Sequence, residues 1–67
     1  MPSNAILHEA QQLHNVSDRL DSLAETHPAF SEALITISGS VRNTATLLEV
    51  LVATKLRSSL GLDPAEA

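Results

Sequence analysis

The chain has 67 residues, no cysteine, a single aromatic residue (Phe30) and a formal net charge of −4, with only Arg19, Arg42, Lys55 and Arg57 basic. These totals exclude a disulfide framework and a thiolate zinc site, aromatic stacking on bases or sugars, and the clustered cations that nucleic acid or an anionic membrane surface requires. A domain this short buries only about 60% of its unfolded surface and usually needs disulfides, a metal or oligomerisation, so self-association is favoured before any pattern is read.

The start, Met1-Pro2-Ser3-Asn4, lacks the charged and long apolar regions of a secretory leader. The longest apolar run is broken by Glu49, well short of the roughly 20 residues that span a bilayer. A cytoplasmic location with no membrane partner is the expectation.

The first predicted element is a helix over residues 4–26. Ser3 or Asn4 can cap it by accepting a first-turn N–H. Ile6, Leu13 and Leu20 recur every seven residues, Val16 and Leu23 fill a second core position, and Ala10 and Ala24 lie beside the stripe. That spacing is one narrow apolar face. Glu9 occupies a core-type position, and Leu7 falls on the opposite face.

Thr26-His27-Pro28 interrupts the pattern. Proline disfavours helical geometry in the residue before it and suits the first position of a new helix. Thr26 or His27 is expected to cap the second helix, and Glu32 favours its positive end. A turn this short joins antiparallel neighbours.

The second predicted helix covers residues 28–60, with the stripe Phe30, Leu34, Ile37, Val41, Ala45, Leu48, Val52, Leu56 and Leu60. Eleven-residue recurrence of Leu34, Ala45 and Leu56 suggests a seam that is straight or slightly right-handed. Ser38-Gly39-Ser40 is its weak point, since mid-helix glycine costs about 1 kcal/mol relative to alanine. The stripe keeps phase across it, so one continuous helix is expected; three helices with a break at Ser38–Ser40 is the alternative. Gly61 suits a helix stop, Leu62 can fold back onto Leu56, and 61–67 reads as a flexible tail.

Folding the two helices about His27 brings Ile6 level with about Leu48. The long helix then outruns the short one by about ten residues, or about 15 Å at 1.5 Å per residue. Leu47 and Leu51 also begin a second apolar line, continued by Ala33, Ser40 and Thr44. Burying a leucine is worth about 1.5–3 kcal/mol, so leaving several open would forfeit much of a small domain's stability. The expected architecture is all-α: one helical-hairpin domain over 1–67, assembling as a homodimeric four-helix bundle, with a homotetramer as the other geometry. The expected self-association interface is Leu34, Ile37, Val41, Leu47, Leu48, Leu51, Val52 and Leu56, with Arg42 and Glu49 as an inter-subunit polar pair.

Chemical sites are weak. His14, Asp18, Asp21 and Glu25 share one face of the first helix, as cation ligands would, but an ordinary solvated face with nothing converging on it is the simpler reading. His8-Glu9 opens like a zincin motif, yet position 12 is Gln12, not a second histidine. Asn15-Val16-Ser17 matches a glycosylation sequon inside a helix, as chance produces. No histidine is spaced to activate a hydroxyl, and no glycine-rich loop can cradle phosphate. No cofactor, metal or catalytic residue is expected. The function expected is that of a non-enzymatic structural or interaction protein acting through helix–helix self-association. The alternative is an adaptor or regulator that binds a helix of another protein through the Leu47–Leu56 surface.

Overall fold

A computed structural model describes residues 3–59, which form an antiparallel helical hairpin: α1 (Ser3–Thr26), a single 3₁₀ turn (Pro28–Phe30) and α2 (Ser31–Ser59). No strand occurs among the described residues. The expected tail over 61–67, the Gly61 stop and Leu60 lie outside them.

The turn follows from Pro28. His27 takes an extended conformation (φ −132°, ψ 77°), as a residue before proline prefers. Pro28 occupies the first position of the 3₁₀ turn, where its missing N–H costs nothing. The Phe30 N–H donates to the His27 carbonyl at 2.9 Å. His27 makes no side-chain cap to this turn, which corrects the expected cap. Its Nδ1 lies 3.1 Å from the Leu23 carbonyl and 2.9 Å from Thr26 Oγ1, and Thr26 Oγ1 itself donates to Leu23 O at 3.2 Å. Both side chains therefore serve the carbonyl end of α1, where free acceptors accumulate.

α2 is continuous through Ser38-Gly39-Ser40. Thr36, Thr44 and Thr46 each donate their hydroxyl to the carbonyl four residues earlier, which satisfies polar side chains without leaving the helix. Gly39 is exposed, and an added Cβ would meet nothing within 4 Å. Gly39→Ala is therefore expected to stabilise the hairpin by about 1 kcal/mol, the helix-propensity difference, read as a higher urea midpoint.

The core differs from the predicted stripes. The residues buried between the helices are small and spaced by seven: Ala10, Ser17 and Ala24 on α1; Ser38, Ala45 and Val52 on α2. Half-buried Ser31 continues the second series. Seven-residue spacing on both helices replaces the eleven-residue seam, and it is the period at which two helices keep contact by coiling left-handedly. At the centre Ser17 and Ser38 face each other. Their hydroxyl oxygens are 2.7 Å apart, Ser17 Oγ lies 3.2 Å from the Ser38 carbonyl, and Ser38 Oγ lies 3.0 Å from the Ser17 carbonyl. A serine side chain reaches an opposing backbone carbonyl only when two helices approach closely, at the short end of the usual 8–10 Å spacing.

This pairing sets the register. Stepping seven residues in opposite directions puts Ala10 level with Ala45 and Ser3 level with Val52. Residues 53–59 therefore extend beyond α1, about 10 Å at 1.5 Å per residue. Val52 is 4% exposed, so it belongs to the hairpin seam. That corrects its place in the expected self-association interface and shortens the expected overhang.

Candidate self-association surface

A two-helix hairpin is one helix thick. Its extents are 50 × 25 × 10 Å, so it presents two broad faces on either side of the small-residue seam. Helical periodicity at 100° per residue assigns each side chain to a face, and the two faces differ in chemistry.

One face is polar. Arg42 Nη2 lies 2.8 Å from Asp21 Oδ2, and His14 Nε2 lies 3.2 Å from Glu49 Oε2. The members of each pair are not level in the register. They meet because each side chain leans toward the N-terminus of its own helix, which on antiparallel helices means toward each other. Arg42 and Glu49, expected as an inter-subunit polar pair, each meet a partner on α1 within the single hairpin. The reading of His14 and Asp21 as parts of a solvated face with nothing converging on it is corrected for the same reason: both are half-buried and both are paired. One heptad further on, the equivalent positions hold Leu7 and Leu56, both largely exposed. No cluster of three metal-ligating side chains forms among the described residues. Ser17, of the sequon, is wholly buried in the seam.

The Ser38 hydroxyl and the Arg42 guanidinium hold the Asp21 carboxyl below its ordinary value of 3.8. A lowered folded-state pKa contributes stability above the unfolded value and loses it as pH falls through the folded value. Asp21→Asn is expected to make the acid-side fall in urea midpoint shallower, with the difference from the native chain closing below pH 3.8. The ion pair is exposed, so the effect is small.

The opposite face is apolar. From α1 it takes Leu13, Leu20 and Leu23. From α2 it takes Leu34, Ile37, Val41 and Leu48. Leu13, Leu20, Leu34, Val41 and Leu48 are half-buried, because each lies beside the seam and shields only one flank. Leu23 and Ile37 are about half exposed, and Phe30 is 63% exposed. Near the turn, Leu23, His27, Phe30, Ala33, Leu34 and Ile37 enclose an open hollow of about 390 Å³.

The structure therefore gathers Leu34, Ile37, Val41 and Leu48, of the predicted interface, on one face. Leu51, 50% exposed, lies at its outer edge. Leu47, 59% exposed, turns away from α1, and Leu56 lies past the end of α1 toward the polar side. Sequence reasoning had assigned Leu13, Leu20 and Leu23 to the core of the hairpin, and so missed them as surface. The signal that separates the two roles is the seven-residue recurrence of alanine and serine beside them.

In comparisons with known proteins, the chain matches no family model, no curated protein and no solved structure. No helix among the described residues is long and apolar enough to cross a membrane.

Proposed function

We propose that the protein is a cytoplasmic, non-enzymatic interaction protein that works as a homodimeric four-helix bundle, two hairpins packing apolar face against apolar face. The observation that carries this reading is the apolar face itself. Domains bury their apolar surfaces between two layers, and one hairpin supplies a single layer. A second copy supplies the other.

The polar side chains that the hairpin brings together support a structural role. Ser17 is spent on Ser38, Asp21 on Arg42 and His14 on Glu49. Leu23, Phe30 and Ile37 on the apolar face are left open by the single hairpin.

The test is the concentration dependence of thermal unfolding. A dimer that unfolds to two chains gains stability with concentration by mass action, so its Tm is expected to rise across a hundredfold concentration range. A Tm that does not move would overturn the proposal.

A second reading rests on Leu47 and Val50. Both are more than half exposed and lie on the sides of α2 turned away from the apolar face, where a two-hairpin stack leaves them open. A helix of another protein, docking by its own apolar stripe, or a second pair of hairpins in a homotetramer would cover them. A solution mass of four chains supports the tetramer; a stable dimer that binds an apolar dye, and loses it on Leu47→Glu, supports the heterologous helix.

A further inference from the structure

We infer that dimers associate further through the outward ridge of α2, which pairs antiparallel with the same ridge of a second copy. This rests on the dimer proposed above and adds a second two-fold interface to it.

The first observation is spacing. Ala33, Thr36, Ser40, Asn43, Leu47 and Val50 follow one another at alternating steps of three and four residues, the period of a coiled-coil seam. Ser40 and Asn43 lie about 200° and 140° around the helix from Ser38, at 100° per residue, so the ridge points away from α1. It therefore stays open when two apolar faces stack. All six side chains are exposed, Leu47 by 59% and Val50 by 53%. None is charged. The matching ridge of α1 holds His8, Gln12, Asn15 and Arg19 and offers no such surface.

The second observation is size. The ridge is small toward the turn, at Ala33, Thr36 and Ser40, and large toward the other end, at Leu47 and Val50. Antiparallel pairing brings the two kinds of ridge position level: Ala33 opposite Val50, Thr36 opposite Leu47 and Ser40 opposite Asn43, each twice by symmetry. Every layer then joins a small side chain to a larger one, which fills the space between the helices. A parallel pair sets small on small and large on large, leaving a gap at one end and crowding at the other. The polar groups fit as well. Thr36 Oγ1 already donates to the Glu32 carbonyl at 3.0 Å, and the Asn43 amide can donate to the Ser40 hydroxyl across the pair. A ridge complementary to itself specifies a second copy as its occupant. With only Leu47 and Val50 large, the contact is weaker than that of the apolar faces and forms at higher concentration.

Sedimentation equilibrium tests this, starting where the dimer is complete and rising in concentration. The native mass is expected to climb from two chains toward four. Leu47→Lys is expected to weaken this step roughly tenfold or more, since each interface loses two leucines that were half exposed in the hairpin. Thr36→Glu is expected to weaken it too. Both substitutions in one chain set opposite charges together twice in the antiparallel pair, so the mass is expected to climb above two chains again. Circular dichroism checks that each variant stays helical. A native mass held at two chains at every concentration, a native protein and Leu47→Lys that climb alike, or a double variant no better than its singles overturns the ridge pairing while leaving the dimer standing. A native mass of one chain throughout overturns both.

Discussion

Ser38→Leu is expected to unfold the hairpin or to remove most of its stability. Ser38 is wholly buried against α1, with its hydroxyl within hydrogen-bond distance of both the hydroxyl and the carbonyl of Ser17. A leucine there has no room unless the helices separate, and overpacking a fitted core costs about 1–3 kcal/mol. The substitution also leaves the Ser17 hydroxyl buried without its partner, at about 1–3 kcal/mol more. Together these approach the total stability of a small domain, about 5 kcal/mol at the low end. Urea unfolding followed by far-ultraviolet circular dichroism reads the loss. The double change Ser17→Ala, Ser38→Ala removes both hydroxyls at once and keeps the residues small. It is expected to stay within about 1 kcal/mol of the native chain, because no buried polar group is left unpaired. A Ser38→Leu protein as stable as the native one would mean that the seam is not where the serines meet.

Ile37→Glu is expected to separate the dimer while leaving the hairpin folded. Ile37 is 51% exposed in the single chain, so an isolated hairpin can turn a glutamate to solvent. In the proposed dimer the same side chain would meet the partner. A buried isoleucine contributes about 1.5–3 kcal/mol when fully removed from water; here roughly half of that is gained on association, once from each copy. The loss is then about 1.5–3 kcal/mol per dimer before the carboxylate's own desolvation, or roughly tenfold to a hundredfold in Kd at 1.4 kcal/mol per decade. Leu47→Glu is the control. Leu47 is as exposed as Ile37 but turns away from the apolar face, so the dimer is expected to persist. Sedimentation velocity at matched concentrations reads both. Dissociation by Leu47→Glu and not by Ile37→Glu would place the interface on the other side of α2.

The helices and their register were legible in the sequence. Pro28 ends one helix and begins the next for a covalent reason, and folding about His27 placed Ile6 level with Leu48, one residue from the register that Ser17 and Ser38 set. Continuity through Gly39 followed from the unbroken stripe. The choice of packing surface was harder to read. Leucine and isoleucine carry the largest transfer free energies, so the leucine stripes drew the assignment of the core. In a hairpin with only two helices, close approach decides instead, and alanine and serine permit it. Serine at positions 17 and 38 counts as polar in any hydropathy pattern, which broke the Ala10-Ser17-Ala24 and Ser38-Ala45-Val52 series from view. Arg42 and Glu49 were placed correctly on one side of α2. Their contacts with His14 and Asp21 within the hairpin were not legible, because side chains that lean along antiparallel axes join residues a level-by-level register keeps apart. The apolar excess on α2 was legible as well, although Val52 lies inside the hairpin and the leucines of α1 belong with the surface.

In the proposed dimer a second copy of the chain covers the apolar face. Light scattering coupled to size exclusion, on the purified native protein over a range of loading concentrations, tests it most directly. The single chain is 7.1 kDa. The expected result is a mass of two chains that falls toward one only on strong dilution. A well-folded species holding the mass of one chain at every concentration would contradict it.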